Sequence, residues 1–296
     1  MEDTLIKALA CEERVRIYIC SSTHLVDEAR RRFDLWPTAS AALGRVLSVG
    51  SMMGSMLKSE KEQITIKING GGPIGTVLVD AYSDGHVRGF VSDPHVHFQY
   101  NDTGKLAVGI AVGSDGYLEV TKDFHMKENW KGTVALQSGE IGDDFAYYFT
   151  ASEQTPSAVS VGVLVDSDHS ILSAGGLIIQ MMPDAQEEDI AKTEALLAKL
   201  APMSELVKTH DTLKEIVLSL YEDVHILEEQ PIAFRCGCDR ATMKRALTTL
   251  SKEDRMAMIE EDHGCEITCN FCNEVYQFSE QELRDLEAFL DAHAKH

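Results

Sequence analysis

The spacing of hydrophobic and polar residues changes along the chain, and each spacing predicts a different kind of element. In residues 1–60, apolar side chains recur at helical spacing, most clearly from Ser21 to Leu57, so this region is predicted to be mainly helical. Pro37 is expected to begin a helix within it, since proline is favoured in the first helical turn. The first region is therefore expected to supply helices.

The period becomes two from Gln63 onward, which is the spacing of a strand with one buried face. Three hairpin-like units follow, at residues 76–91, 106–123 and 159–180, each divided by a turn that contains Ser-Asp. A helix is predicted around residues 143–148. These elements predict an α+β fold with a mostly antiparallel sheet.

The composition changes again after Pro183. Asp184, with Glu187 three residues later, forms an N-cap pattern, and helical spacing continues to about residue 224. We expect an α/β core domain over 1–183, a helical linker over 184–230 and a small C-terminal domain over 231–296. The pattern leaves open whether the linker is stably packed or only marginally so.

The C-terminal domain carries two capping boxes, which start at Ser251 and Ser279. Phe278 and Leu283 occupy the hydrophobic staple positions of the second box. Two short helices are therefore predicted to flank the sequence Cys-Asn-Phe-Cys at 269–272. A segment of this size builds only a small core, and such units usually need a metal or a disulfide to fold.

The formal net charge of −21 over 296 residues argues against a nucleic-acid partner, because phosphate binding requires Lys and Arg side chains. Anionic membrane surfaces are disfavoured for the same reason, and no run of about 18 apolar residues is long enough to cross a bilayer. The first residues resemble neither a signal peptide nor a transit peptide. We therefore expect a cytoplasmic protein, whose cysteines are kept reduced.

Several short motifs suggest enzymes, but their contexts do not support that reading. Residues 70–75 have the spacing G-x-G-x-x-G, yet a strand follows, so a turn is expected instead of a dinucleotide site. Residues 55–58 match S-x-x-K without the accompanying motifs. His95 and His97 are read as structural. Residues 265–272 match an iron–sulfur spacing outside any β/α barrel. No enzymatic activity is predicted.

The cysteines give the strongest chemical signal. Cys236 and Cys238 lie about thirty residues before Cys269 and Cys272, and two close thiol pairs at this separation are typical of a four-thiolate Zn²⁺ site. One reading is a purely structural zinc ribbon. The other is a redox switch, because metal-bound thiolates react with oxidants and each pair can close into a disulfide. Oxidation would then remove all four ligands from the metal.

The pattern C-x-C followed by C-x-x-C near the C-terminus resembles the redox-regulated heat-shock chaperones called 33 kDa chaperonins. Residues 70–75, 147–159 and 175–183 also resemble that family, so the resemblance covers essentially the whole chain. Two departures are Ser157, where threonine is expected, and the additional thiol of Cys265.

The resemblance implies an ATP-independent holdase that binds unfolding client proteins under oxidative stress. Cys269 and Cys272 would form a disulfide first, and Cys236 and Cys238 would form a second. The C-terminal zinc-binding redox-switch domain and the linker would then lose order, and the oxidised protein would form a homodimer. Cys265 leaves open which cysteines pair. A thiol-disulfide oxidoreductase, a zinc-ribbon nucleic-acid module and a structural zinc tail on an enzyme remain the alternatives.

Overall fold

The computed structural model describes residues 1–126 and 128–293, and in it the chain divides into two units. The first unit is Met1–Arg235 and the second is Cys236–His296. Residues 294–296 of the expected C-terminal domain lie outside the described part. The division of the first unit into a core domain and a linker stays a prediction.

The first unit contains two sheets. Their strands are β1 (Thr4–Ala10), β2 (Val15–Ser21), β3 (Gln63–Asn69), β4 (Val77–Tyr82), β5 (His86–Val91), β6 (Tyr117–Asp123), β7 (Trp130–Ala135), β8 (Ser157–Val165), β9 (Ile171–Met181), β10 (His225–Pro231) and β11 (Ala233–Phe234). One sheet has the order β10-β1-β2-β9-β8 and the other β11-β5-β4-β3-β6-β7. All these pairs are antiparallel except β11 with β5. The α+β, mostly antiparallel prediction is confirmed.

The helices of the first unit lie on and between these sheets. They are α1 (Thr23–Phe33), α2 (Pro37–Gly54), α3 (Val108–Val112), α4 (Gly142–Ala151), α5 (Glu187–Leu197), α6 (Met203–Thr209) and α7 (Leu213–Leu220). Helix α2 begins at Pro37 as predicted, and every residue of it except Arg45 is buried. It contacts strands of both sheets, so it forms the centre of the core. A Cβ at Gly44 would lie 2.6 Å from Val26, which explains the small residue there.

The expectation of a mainly helical N-terminal region is wrong for residues 4–21, which form β1 and β2. Strand β2 lies between β1 and β9, and six of its seven residues are buried. A strand covered on both faces shows a nearly continuous apolar run, so it lacks the alternation that identifies an exposed strand. Within residues 1–60, helical spacing correctly predicts α1 and α2.

Two of the three predicted hairpins are confirmed. Strands β4 and β5 pair in one, and β8 and β9 pair in the other. The second predicted hairpin is wrong, because residues 108–112 form α3 and β6 pairs with β3 and β7 instead. Both sides of β6 are therefore occupied by other strands, and α3 packs on α2. The helix predicted near residues 143–148 is α4.

The region after Pro183 is helical as expected, but its details differ. Helix α5 is capped at Gln186, whose backbone N–H donates to the Asp189 carboxylate at 2.9 Å, so the predicted cap at Asp184 is wrong. The chain then continues through α6 and α7 into β10, which the sequence pattern did not indicate. Strand β10 pairs with β1, so its partner lies more than 200 residues away.

The second unit is small. It contains α8 (Arg240–Leu247), α9 (Lys252–Glu260), β12 (Gly264–Thr268), β13 (Val275–Ser279) and α10 (Glu280–His293), and β12 pairs with β13. The capping interactions are confirmed, because Ser251 accepts from the Asp254 N–H and Ser279 exchanges hydrogen bonds with Glu282. Among the described residues of this unit, the core has five buried apolar side chains, namely Leu247, Ile259, Phe278, Leu283 and Leu286.

Candidate metal centre

Two short segments of the second unit carry the predicted ligand cysteines. Cys236 and Cys238 immediately precede α8, whose N-cap residue Asp239 accepts a hydrogen bond from the Thr242 N–H at 2.6 Å. Gly237 separates them, and a Cβ at this position would meet nothing within 4 Å, so the chain is open here. This segment therefore presents two thiols just before a capped helix.

The second pair lies in the turn between β12 and β13. The Cys269 N–H donates to the Glu274 carbonyl at 2.9 Å, and the Cys269 carbonyl accepts from the N–H groups of Cys272 and Asn273. Asn273 has φ of 58°, a left-handed conformation that asparagine tolerates well. These bonds hold the turn so that Cys269 and Cys272 are both buried on the same side of it.

The structure brings the four sulfurs into one cluster. All four Sγ atoms lie within 4.8 Å of one another. The distance from Cys236 to Cys269 is 3.8 Å, and that from Cys238 to Cys272 is 3.3 Å. Metal–sulfur bonds of about 2.3 Å place the corners of a thiolate tetrahedron about 3.8 Å apart. The cluster is therefore the right size to hold one four-coordinate metal ion.

Burial is the main influence on the pKa values of the clustered thiols when no cation is bound. It raises the pKa of Cys269 and of Cys272, and neighbouring sulfurs raise the Cys272 pKa further. Thiols in this environment stay protonated at neutral pH unless a cation compensates the thiolate charge. Soft thiolates are the donors preferred by zinc and by other soft metals, so the donor set fits such an ion.

Tyr276 is a contact of the cluster that sequence reasoning missed. Its phenolic oxygen lies 3.3 Å from the Cys238 sulfur and donates to the Cys238 carbonyl at 3.3 Å. The hydrogen bond with Cys238 raises the Tyr276 pKa, so this hydroxyl remains a donor. Its single hydrogen is donated to the Cys238 carbonyl, so this bond holds the Cys238 segment beside the cluster. Nothing in the spacing of the cysteines pointed to a tyrosine four residues after Cys272.

Cys265 is not one of the clustered sulfurs. It lies in β12 opposite Phe278, packs against the apolar core of the second unit and is half-buried. Burial raises its pKa. Among the described residues, the group that could hold a metal consists of the other four cysteines of this unit.

The remaining motifs have structural roles. Residues 70–75 form the expected turn between β3 and β4, with Gly71 and Gly75 at positive φ. His97 contacts the Thr38 hydroxyl at 3.3 Å, and His95 lies 3.4 Å from the Asp34 carboxylate. Both histidines lie in a loop.

The two units and the four-thiol cluster define a class of protein: an α+β domain followed by a small unit whose four clustered thiols could hold a metal ion. The chain belongs to the Hsp33 protein family, whose model matches residues 3–279. The described part of the chain contains no helix that is both long and apolar enough to cross a membrane.

Individual relatives agree over nearly the full length. The 33 kDa chaperonin of Halalkalibacterium halodurans is 50% identical over 288 residues, which cover 97% of this chain and 99% of the relative. That of Oceanobacillus iheyensis is 48% identical over 289 residues, with 97% and 100% covered. The crystal structure of the Thermotoga maritima 33 kDa chaperonin, a heat shock protein 33 homologue, has a TM-score of 0.91 at 34% identity and covers 99% of this chain and 100% of its own. These names are those of chaperones and not of enzymes, so the chain is a chaperone of this family.

Proposed function

We propose that the protein is a redox-regulated, ATP-independent holdase, whose switch is a Zn²⁺ ion bound by Cys236, Cys238, Cys269 and Cys272. The observation that carries the proposal is the cluster of four sulfurs within 4.8 Å, in a unit whose described residues form a core of five buried apolar side chains. A bound Zn²⁺ would keep the four sulfurs deprotonated and would contribute roughly 10–16 kcal/mol to the folding of such a unit.

Oxidation acts on the cysteines themselves. One molecule of peroxide takes two electrons from two thiolates and two protons from solvent, giving one disulfide and two molecules of water. The proposed disulfides are Cys269–Cys272 and Cys236–Cys238. A sulfur in a disulfide is no longer a thiolate ligand, so closing both bonds dismantles the metal site. The second unit then depends on its small core alone, and we expect it to unfold.

The effect can reach the helices of residues 184–230 because of the path of the chain. Strand β11 pairs with β5, β10 pairs with β1, and α7 precedes them directly. Unfolding that begins at Cys236 would therefore meet β11 first, then β10 and then α7. Release of α7 would expose apolar surface for clients, because the helix buries four apolar side chains of its own, namely Leu213, Ile216, Val217 and Leu220.

The acidic composition suits this state. A net charge of −21 opposes aggregation of a chaperone that exposes apolar surface, because like-charged molecules repel one another. Dimer formation by the oxidised protein is part of the proposal, and it would place two client-binding surfaces in one particle. We propose that the protein acts in the cytoplasm, where a thiol switch is reduced at rest.

The test follows aggregation of heat-unfolding citrate synthase by light scattering, with reduced and peroxide-treated protein in parallel. Only the oxidised protein should suppress scattering, and one zinc ion per chain should be released as it becomes active. Cys269→Ser should disturb this control, while the matched variant Cys11→Ser should retain it. Equal suppression by both redox forms would refute the switch and leave a structural zinc site.

Peptide mapping of the oxidised protein tests the disulfide assignment. In the folded cluster the short distances run between the pairs, from Cys236 to Cys269 and from Cys238 to Cys272. Disulfides between the pairs instead of within them would refute the assignment but not the switch. A disulfide that includes Cys265 would show that this thiol takes part after the unit unfolds.

A further inference from the structure

We propose that the edge of β8 is a docking site where an extended peptide with apolar and acidic side chains adds a strand to the sheet. The inference rests on the proposed holdase function, since it specifies one kind of client segment. It concerns only the first unit, and it uses none of the cysteines of the switch.

Strand β8 lies at the end of its sheet, with β9 as its only strand neighbour in the described part of the chain. The Met181 N–H donates to the Pro156 carbonyl, and the register continues from that pair without a shift as far as Leu164. In an antiparallel pair, alternate residues point their N–H and C=O groups toward the partner. Val159, Val161 and Val163 therefore direct theirs away from β9.

Within the described part of the chain, these outward groups have no hydrogen-bond partner. No backbone or side-chain hydrogen bond to the N–H or C=O of Val159, Val161 or Val163 is found outside the ladder among the described residues. A row of unpaired backbone groups on an extended strand is the template that a further strand recognises. The Val159 carbonyl lies near the start of α4, where a Cβ on Gly142 would be 3.3 Å from it, so the edge offers its main-chain hydrogen bonds to an extended peptide at Val161 and Val163.

The other edge strands of the two large sheets have sequence features that oppose pairing, whereas β8 has none. Strand β10 carries Glu228, Glu229 and Pro231, and β7 carries Lys131. Strand β11 is only two residues long. Charges, proline and short length are the usual devices that prevent pairing at an edge. Strand β8 runs for nine residues, Ser-Ala-Val-Ser-Val-Gly-Val-Leu-Val, with neither a charge nor a proline.

A groove runs along this edge. It has a volume of about 640 Å³, and residues 161–165 of β8 line it together with residues 99–106 and the α6 region from Pro202 to Thr209. An extended strand rises about 3.3 Å per residue, so the five β8 residues match a peptide of about five residues. The groove therefore has a backbone edge along its length and side chains from separate segments around it.

The charges of the groove select the occupant. Lys105 and Lys208 line it, and neither forms an ion pair with a described residue. Arg45 also lines it, and its Nε is buried without a hydrogen-bond partner, although its Nη1 pairs with Glu140 at 2.6 Å. Glu205 is the acidic residue of the lining. Excess positive charge in a chain of net charge −21 favours a peptide that carries carboxylates.

The same charges disfavour a second copy of the chain. Pairing of β8 with β8 from another molecule would bring two grooves together, each carrying Lys105 and Lys208. Like charges placed against one another oppose such an interface. The occupant that fits both the unpaired backbone and the lysines is therefore an extended client segment with alternating apolar residues and acidic ends.

The probe is a fluorescein-labelled peptide, Glu-Val-Thr-Val-Thr-Val-Glu, added to the full-length zinc-loaded chain and followed by fluorescence anisotropy. Binding is expected in both redox forms, because β8 belongs to the sheet and not to the segment that oxidation releases. A peptide with lysine at both ends should bind more weakly, and one with a central proline should not bind, because proline removes a backbone donor.

Two kinds of variant test the site. Val161→Pro removes one outward N–H and should weaken binding by roughly fivefold to tenfold, the equivalent of one net hydrogen bond. Lys208→Glu should weaken it without changing the strand, and Lys61→Glu, an exposed lysine outside the groove, should not. Circular dichroism confirms that each variant is folded.

The outcomes separate this inference from the switch. Equal affinity for all variants, or for the proline and acidic peptides, would overturn it. A change of oligomeric state in Val161→Pro with unchanged peptide affinity would also overturn the inference, because the occupant of the edge would then be a second copy of the chain. If peptide binding fails while oxidation still activates suppression of citrate synthase aggregation, only the β8 site is refuted. If the switch fails and the peptide binds, the docking site stands without the regulation.

Discussion

Replacing Ile216 with alanine should loosen the helical segment without any oxidant. Ile216 is 0% exposed and lies in the cluster that α7 forms with β1, β2 and β9. Truncation of a buried isoleucine to alanine costs about 2–5 kcal/mol, because transfer free energy is lost and a cavity remains. If α7 opens as a local unit, the fraction of molecules in which it is open should increase by a factor that lies between roughly 30 and several thousand.

The same helix supplies a matched control. Leu218 is 52% exposed, so Leu218→Ala removes a similar side chain from the solvent side of α7. Such surface substitutions usually change stability by no more than about 0.5 kcal/mol. Hydrogen exchange followed by mass spectrometry should show faster exchange at residues 213–220 in Ile216→Ala than in Leu218→Ala, with the zinc still bound.

The functional consequence follows from the proposed mechanism. Reduced Ile216→Ala should suppress aggregation of citrate synthase to a measurable degree without peroxide, while reduced Leu218→Ala should remain inactive. Faster exchange in α7 without any gain in activity would refute the idea that release of this helix creates the client surface. Equal exchange in the two variants would refute the energetic reasoning itself.

Other predictions address the second unit, the α5 cap and the metal. Glu287→Gln should destabilise the second unit, because breaking the buried ion pair with Arg255 costs about 3–5 kcal/mol, and the unit should then retain zinc less well against a chelator. Asp291→Asn breaks an exposed ion pair and should change zinc retention little. The hydrogen bonds from Arg14 lower the pKa of Asp189 to about 2, below its unfolded value of about 3.9. This interaction therefore stabilises α5 fully above about pH 4 and is lost as the pH falls toward 2. Helix α5 should become sensitive to proteolysis between these two pH values. Asp189→Asn should abolish this pH dependence. Chelation of zinc from reduced protein should lower helix content by circular dichroism, and unchanged helicity after verified metal loss would contradict coupled unfolding.

Local signals in the sequence were sufficient where neighbouring residues determine the structure. The capping boxes at Ser251 and Ser279 depend on contacts within three residues, and both formed as expected. The turn between β4 and β5 is equally local, because the Ser-Asp-Gly sequence at 83–85 favours a tight hairpin. Each thiol pair is local too, and the separation of about thirty residues between the pairs is typical of one four-thiolate site, so the spacing predicted the cluster.

Prediction failed where distant parts of the chain determine the structure. Strand β1 pairs with β10, and β2 pairs with β9, so the elements that hold residues 4–21 in strands lie far along the sequence. Without those partners, an apolar run such as Thr4–Ala10 is as consistent with a buried helix as with a buried strand. Tyr276 was missed for a related reason: its contact with Cys238 exists only after the β12–β13 hairpin and the first thiol pair meet.

The helices of residues 184–230 differ in how strongly they are held. Helix α5 buries Asp189 and Thr193 but exposes Ile190, whereas α7 buries four apolar side chains. Taken alone, α5 should open more easily than α7, because it has fewer buried apolar contacts. Yet Thr193 also shares a 2.7 Å hydrogen bond with Tyr221, at the end of α7. Since unfolding from the second unit would reach α7 before α5, loss of α7 would remove one of the few contacts that hold α5. The proposed function therefore predicts that the helices of residues 184–230 are released together, and that β10 and α7 determine the free-energy barrier to this release.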